Sequence, residues 1–181
     1  METNKVKKNK TGFIVVLVVL IGFPLVAMYY MNKGVRYRKA LFAQLDDLGE
    51  FRARPDSTEG QVLAIFFLDK ESADREALTQ MHHQFDNRQD VIFYVDGDYA
   101  LVDSSQMLPL TDADQLAVTT ALGLPYSALK GSGFLVDRKG HLRKRYDLSN
   151  KDDVQLFVRQ IALFLPPKKT PKPKLQRETE K

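Results

Sequence analysis

The side chains of this sequence best suited to chemistry are carboxylates that follow two apolar runs. Asp69, Glu71 and Asp74 come directly after the run from Val62 to Leu68. Three carboxylates this close together could bind a hard cation, because Ca²⁺ and Mg²⁺ prefer oxygen ligands. Their spacing is not that of a calcium-binding loop, however, and the helix dipole also favours carboxylates at a helix N-terminus. We therefore interpret these acids as the start of a helix.

A second acidic group, Asp96, Asp98 and Asp103, follows the next apolar run. It lacks the regular carboxylate spacing and the closing glutamate of an EF-hand loop, so we interpret it as a turn. Gly131-Ser132-Gly133 is too short to cradle a phosphate, and it precedes a predicted strand rather than a helix N-terminus.

The histidines and the absence of cysteine limit the chemistry further. His82 and His83 are adjacent, so on a helix they point about 100° apart and cannot chelate one ion well. We expect one of them at the core edge and the other in water, and His141 exposed near a turn. The chain has no G-x-S-x-G motif, and without cysteine it has no thiol catalysis and no disulfides. The sequence therefore predicts no catalytic residue, no metal site and no cofactor.

An uncharged apolar run covers residues 12–31. As a helix that rises about 1.5 Å per residue, it spans about 30 Å, the thickness of a bilayer's hydrocarbon core. The run is longer than the apolar part of a signal peptide, and no small-x-small cleavage site closes it. We predict a single uncleaved transmembrane helix, with Pro24 inside it and with Tyr29 and Tyr30 near the interface.

The charges that flank this run do not fix its orientation. Four cations lie on each side: Lys5, Lys7, Lys8 and Lys10 before it, and Lys33, Arg36, Arg38 and Lys39 after it. Because the two sides tie, we rely on the short N-terminal tail and the large C-terminal domain, which favour an N-in helix with the domain outside the cytoplasm. The net charge is +4, but no basic helix face with interleaved aromatics is present, so we expect no nucleic-acid partner.

The rest of the chain alternates apolar strands with amphipathic helices. Residues 35–54 carry leucines at helical spacing and predict a juxtamembrane helix or stalk. The later elements follow the order β-α-β-α-β-β-α, and the stretch 96–110 is expected to be mostly loop. We divide the chain into five segments: a basic tail (1–11), a transmembrane helix (12–31), a juxtamembrane helix and linker (32–59), a folded domain (60–166) and a disordered Lys- and Pro-rich tail (167–181).

This order predicts an α/β domain with a mixed sheet. Apolar strands separated by a helix indicate a parallel pair with a right-handed crossover, and the closing hairpin adds antiparallel strands. The predicted hairpin joins residues 134–137 to 141–146, and Asn150 is expected to cap the final helix. A mixed sheet with helices on both faces is the thioredoxin-like layout.

The domain resembles the Sco group of membrane-anchored, thioredoxin-fold proteins, which assist cytochrome c oxidase assembly by handling copper. The resemblance runs from about Gly60 to Leu165. Its motifs are AIFF at 64–67, Leu110-Thr111, FLVDRKGH at 134–141, and Tyr146-Asp147. It implies a thioredoxin-like fold held at a membrane.

The chain departs from that family at the positions that carry its chemistry. The family has a C-x-x-x-C pair just after the first strand, where this chain has LDKESAD at 68–74. A metal-binding histidine is expected just before the strand at Phe134, where this chain has KGSG at 130–133, and the thioredoxin-type proline before that strand is also missing. Copper(I) prefers thiolates, so no catalytic or metal residue of the family can be carried over.

The leading hypothesis is therefore a membrane-tethered, redox-inactive domain that is not an enzyme. It would act by contacting a protein partner, for example in assembling a respiratory or other envelope complex. One alternative is a hard-metal-binding protein or enzyme that uses the edge from Asp69 to Asp74 or the loop near Asp96. Another alternative is a spacer or ligand-binding module with no link to oxidase assembly. The sequence names neither the protein partner nor a small-molecule ligand.

Overall fold

A computed structural model describes residues 10–51, 58–69, 72–96 and 106–166. The chain divides into two compact units, Met1–Leu45 and Asp46–Lys181. The first unit contains helix α1 (Lys10–Phe42). The described elements of the second unit are β1 (Gly49–Glu50), β2 (Val62–Phe67), α2 (Ser72–Phe85), β3 (Val91–Val95), β4 (Met107–Pro109), α3 (Asp112–Leu122), a 3₁₀ helix (Tyr126–Leu129), β5 (Ser132–Val136), β6 (His141–Asp147) and α4 (Lys151–Phe164).

The apolar run near the N-terminus lies in one continuous helix. α1 has 33 residues and continues through Pro24 and past residue 31, where the sequence predicted the transmembrane helix to end. Its part Ile14–Phe42 contains a strongly apolar stretch, and no residue of that stretch is buried. By length and composition this helix can cross a membrane.

The juxtamembrane helix predicted over 35–54 is wrong beyond Phe42, where α1 ends. Gly49 has φ of 120°, which is incompatible with a right-handed helix. Leu48 donates its N–H to the carbonyl of Leu142 at 2.8 Å and packs against the hydrophobic core. Leu48 was the last leucine of the predicted helix. It lies beside β6 and packs against the core of the sheet instead of continuing that helix.

The sheet has the strand order β1-β6-β5-β2-β3-β4. β2 pairs in parallel with β3, with Val62 opposite Val91, and antiparallel with β5, with Phe66 opposite Gly133. β5 and β6 are also antiparallel. β2 and β3 are buried along their whole length, as expected for strands covered on both faces. The parallel pair and the closing hairpin confirm the predicted thioredoxin-like mixed sheet flanked by helices.

Two short edge strands differ from the sequence-based expectation. β1 lies inside the predicted juxtamembrane helix and pairs antiparallel with β6. β4 lies inside the stretch predicted as mostly loop, and it pairs in parallel with β3. Strands of two and three residues are too short for an alternating apolar pattern to show.

The helix ends follow their local sequence signals. Thr111 caps α3, because its hydroxyl accepts the N–H of Asp114 while the carboxylate of Asp114 accepts the N–H of Thr111. Gly123 ends α3 with φ of 64°. Asn150 caps α4 through the N–H of Asp152, as predicted. Helical spacing predicts an apolar stripe on each of α2 and α4, and most of each stripe is buried: Ala77, Leu78, Met81 and Phe85 on α2, and Val154, Phe157 and Ile161 on α4. The other predicted members, Ala73, Val158 and Leu165, are only partly buried.

Asp137 holds the turn between β5 and β6. Its side chain is only 4% exposed, and it accepts the N–H groups of Lys139 at 2.8 Å and His141 at 3.0 Å. The Nε of Arg143 donates to its other oxygen at 2.7 Å. Burial alone would raise the pKa of Asp137, but these donors together hold that pKa below its ordinary value.

Asp137→Asn is expected to lower the free energy of unfolding by about 1–2 kcal/mol near pH 7, because hydrogen bonds to a charged acceptor are lost. A carboxyl group whose pKa is lowered by folding stabilises the fold above its unfolded pKa, about 3.9, and loses that contribution as the pH falls through the folded value. The gap between wild type and variant should therefore shrink below about pH 4. Urea unfolding at several pH values measures it, with the exposed Asp86→Asn as control. A gap that stays constant down to about pH 2 would contradict this account.

Candidate functional site

The candidate site lies at the sheet edge where the parallel strands β2 and β3 end. In open α/β sheets, ligands bind beyond the carboxyl ends of such strands. Asp69 follows β2, and Asp96 follows β3. Gly131 donates its N–H to the carbonyl of Phe67 at 2.8 Å, which brings the start of β5 to the end of β2. The edge thus joins the first acidic group, the residue at the start of the second and the glycine-serine turn.

Asp74 acts at this edge as part of a helix N-terminus. It is 1% exposed, and its Oδ2 accepts the N–H of Asp69 at 2.8 Å. The side chain of Asp69 is exposed, so the two carboxylates do not face the solvent together. Glu71, the third predicted member of this group, lies outside the described residues. This arrangement agrees with the interpretation of these acids as the start of a helix.

Asp96 is the centre of a buried polar network. Its side chain is 5% exposed, and one oxygen accepts both the hydroxyl of Tyr126 and the Nζ of Lys130, each at 2.5 Å. Its other oxygen accepts the Nε2 of Gln115 at 3.1 Å. Asp98 and Asp103 lie outside the described residues. The carboxylate of Asp96 therefore holds α3, the 3₁₀ helix and the turn after it against the end of β3.

The two ionisable partners of Asp96 are kept protonated. Burial raises the pKa of Tyr126, and its hydrogen bond to Asp96 raises that pKa further. Burial alone would lower the pKa of Lys130, but its hydrogen bonds to Asp96 and Tyr126 outweigh burial and raise that pKa. At neutral pH Lys130 is a cation and Tyr126 is a neutral phenol, so neither serves as a general base.

These partners of Asp96 were missed by the sequence analysis. Gln115, Tyr126 and Lys130 lie between 19 and 34 residues further along the chain. No local pattern connects residues so far apart. The one signal present was the spacing of Tyr126 and Lys130, which flank a single turn and place the Nζ of Lys130 4.7 Å from the ring centroid of Tyr126.

An open cleft of about 510 Å³ lies beside Asp74 and the start of β5. Its polar character comes from four carboxylates and two cations: Asp69, Asp74, Asp147, Asp153, Lys130 and Arg145. Asp153 accepts the N–H of Asp147 at 3.2 Å, and Asp147 accepts the N–H and hydroxyl of Ser149. These hydrogen bonds from Ser149 lower the pKa of Asp147. Most of the acids in the cleft therefore bind backbone N–H groups of its own walls.

Ser132 has a hydroxyl in this cleft, and a hydroxyl becomes a nucleophile only when a base takes its proton. The residue is 2% exposed, and its Oγ accepts the Nε of Arg145 at 2.9 Å. Arg145 also donates to the carbonyl of Ala128 at 2.7 Å. A guanidinium cannot take the proton of the hydroxyl, so this contact does not activate Ser132. The preceding Gly131 has φ of 71° and lies in the turn before β5.

The three histidines do not gather in one place: His82 and His83 are neighbours on α2, and His141 begins β6. His82 is half-buried, with its ring 5.9 Å from that of Phe93, and His83 is exposed, which confirms the prediction for this pair. His141 is partly covered rather than fully exposed, and its Nδ1 lies 3.4 Å from a carboxylate oxygen of Asp47. Within the described ranges, no group of three His, Asp or Glu side chains is placed to hold a metal ion.

Comparisons with known proteins find only distant structural similarity. No family model matches the sequence, and no curated protein matches it. One similar solved structure is a SCO1/SenC family lipoprotein from Bacillus anthracis, with 13% identity over 67% of this chain and 93% of that chain and a TM-score of 0.43. Another is BsSco, a member of the Sco family of cytochrome c oxidase assembly proteins, with 13% identity over 67% of this chain and 91% of that chain and a TM-score of 0.40.

A third similar structure is a putative protein disulfide isomerase from Bacteroides thetaiotaomicron. It shows 17% identity over 60% of this chain and 76% of that chain, with a TM-score of 0.38. The highest identity among these three is 17%, and the highest TM-score is 0.43. Such values assign neither a family nor an activity to this chain.

Proposed function

We propose that this protein is a membrane-anchored, thioredoxin-like domain that works by binding a protein partner, without thiol or copper chemistry. The observation that carries this proposal is the make-up of the edge beyond β2 and β3. Asp74, Asp96, Lys130 and Ser132 are all engaged in hydrogen bonds within the domain, and the whole sequence has no cysteine. A thiolate is both the nucleophile of disulfide exchange and the preferred ligand of copper(I), and only cysteine supplies it.

The membrane anchor is supported by α1. The helix contains an apolar stretch long enough to cross a bilayer, and the side chains of that stretch are not buried. We place the N-terminus in the cytoplasm and the folded domain outside it. Protease added to intact spheroplasts should remove a tag at residue 181 and spare a tag at residue 1. The reverse pattern contradicts this orientation.

A role in assembling a respiratory or other envelope complex is proposed on the sequence motifs shared with the Sco group. In this role the domain holds a partner in place rather than transferring electrons or metal. Its partner is a protein in or at the same membrane, since α1 restricts the domain to that surface.

The absence of thiol and copper chemistry is tested on the purified full chain in detergent. We expect no reduction of insulin disulfides above the protein-free rate, and copper(I) retention against a chelator no better than that of an unrelated protein. The double variant Asp69→Cys/Ala73→Cys supplies two thiols at C-x-x-x-C spacing, and it should retain copper(I). Stoichiometric copper(I) uptake by the wild type would sink the proposal.

The binding role is tested by crosslinking in native membranes followed by quantitative purification. The matched control keeps residues 1–45 and replaces the second unit with an unrelated soluble domain. We expect a protein that copurifies with the wild type at a fixed ratio and is lost from the control. Identical copurifying proteins in both samples, or none at a fixed ratio, would contradict a partner bound by the thioredoxin-like domain.

A further inference from the structure

The last turns of α1 combine strong positive charge with a complete lack of acidic residues. After the apolar run, four cations follow within seven positions of the same helix, and all four are exposed: Lys33, Arg36, Arg38 and Lys39. α1 contains no aspartate or glutamate along its 33 residues. These cations therefore have no carboxylate on their own helix to neutralise them. An anionic group that neutralises them has to come from outside α1.

The four cations surround the helix rather than lining one face. Successive residues of an α-helix are about 100° apart, so the widest gap between neighbouring cations is about 140°. An amphipathic helix that lies on a membrane carries its cations on one face and its apolar side chains on the other. Here the apolar side chains also occur on every face of the preceding turns. This pattern fits a helix that passes through the headgroup layer along its own axis.

The length of the charged segment matches that layer. Six residues separate Lys33 from Lys39, a rise of about 9 Å. The polar region on one side of a bilayer is roughly 5–8 Å thick, given a hydrocarbon core of about 30 Å inside about 40–45 Å in total. Tyr29, Tyr30 and Tyr37 flank or interrupt the segment, and all three are exposed. Amphipathic rings favour the membrane interface, so two independent residue types mark the same level of the helix.

We propose that these four cations, here called the cationic collar, bind the headgroups of anionic phospholipids around the end of the membrane-spanning part of α1. The inference rests on the membrane anchorage proposed above and adds the class of lipid. Cationic side chains beside an anionic bilayer attract its headgroups, whereas a zwitterionic headgroup gives no net attraction. The collar thus selects phosphatidylglycerol over phosphatidylcholine in the shell of lipid around the helix.

The test uses the full chain in phosphatidylcholine vesicles that contain spin-labelled phosphatidylglycerol or spin-labelled phosphatidylcholine. We expect the immobilised fraction to give a relative association constant of roughly fivefold in favour of phosphatidylglycerol. The variant with all four collar residues changed to glutamine should fall well below the wild type and keep only the attraction of Lys5, Lys7, Lys8 and Lys10 before the apolar run. The wild type in about 1 M salt should fall to near unity, because the screening length there is about 3 Å. Lys33→Arg/Lys39→Arg keeps the charge and should keep the preference.

A matched control removes two lysines and two arginines from the sheet domain, where all four are exposed: Arg75, Lys139, Lys151 and Arg159. Its preference should equal that of the wild type. If the wild type resists an alkaline wash but shows no preference, or if the collar variant keeps the preference, the collar is wrong while the anchor stands. If the wild type is released by the alkaline wash, the anchor fails and the collar fails with it.

Discussion

Phe157→Ala is expected to lower the free energy of unfolding by about 3–5 kcal/mol, the usual loss when a fully buried aromatic side chain is truncated. Phe157 is 0% exposed. Its ring stacks on Tyr146 with centroids 4.2 Å apart and planes within 6°, and it lies 5.6 Å from the ring of Phe66. The side chain therefore joins α4 to two strands at once. Urea unfolding of the full chain in detergent, followed by near-ultraviolet circular dichroism, measures the loss.

Gly133 provides the sharper test of this packing. A Cβ at Gly133 would lie 2.7 Å from Cε1 of Phe157, closer than such atoms pack, and 3.1 Å from Cδ2 of Leu148, tighter than most such contacts. Gly133→Ala should by itself cost about 1–3 kcal/mol through overpacking. In the double variant with Phe157→Ala, the new methyl group enters the space that the ring has left. The double variant should therefore lose less unfolding free energy than the sum of the two single losses, as expected for residues in contact.

Leu116→Ala is the control for this cycle. Leu116 is 66% exposed on α3, so its truncation should change the unfolding free energy by less than about 0.5 kcal/mol. It should also be additive with Gly133→Ala, because it does not touch that site. Strict additivity of Gly133→Ala with Phe157→Ala would show that the ring does not occupy the space above Gly133.

The elements that the sequence predicted correctly are those with local signals. The seven apolar residues from Val62 to Leu68 indicate a strand covered on both faces, and the structure buries them all. The turn at Gly140, which has φ of 89°, separates β5 from β6 as expected. The cap at Asn150 is also local, since a cap needs only the residues within one turn of itself.

The features that escaped prediction depend on residues far apart in the chain. Leu48 lies at helical spacing from Leu41 and Leu45, yet it pairs with a strand that begins more than ninety residues later. Gly49 disfavours a helix there, because glycine in a helix interior is less favourable than alanine by about 1 kcal/mol. The pattern of leucines alone could not show which partner those side chains would meet.

The candidate site also combines features that have local sequence signals with features that depend on distant residues. The placement of Asp74 at a helix N-terminus follows from its position after a buried strand, and the sequence was enough for it. The polar network around Asp96 forms only when α3, the 3₁₀ helix and β3 come together. No local sequence pattern specifies that these three elements meet. The absence of cysteine, by contrast, is a fact of composition and needs no structure.

Asp96→Ala is expected to lower the free energy of unfolding by about 2–3 kcal/mol near pH 7. Removing one member of a buried ion pair commonly costs about 3–5 kcal/mol, but Lys130 is 33% exposed and can turn toward water, so the loss is smaller here. Tyr126 and Gln115 also lose their acceptor. The 3₁₀ helix and the turn after it should then loosen from the end of β3. Amide hydrogen exchange should accelerate first at residues 126–130.

The pH dependence separates the ion pair from simple packing. The pKa of Lys130 is raised in the fold, so its contribution to stability is complete below its unfolded pKa, about 10.4, and is lost as the pH rises through the folded value. Wild-type stability should therefore fall above about pH 10.5, and the gap to Asp96→Ala should narrow there. Lys130→Met removes one of the two titrating partners and should reduce that narrowing, leaving the part that comes from the raised pKa of Tyr126. A gap that is unchanged between about pH 7 and 11 would mean that Asp96 stabilises the domain through its neutral donors, and that the cleft wall does not depend on the charge of Lys130.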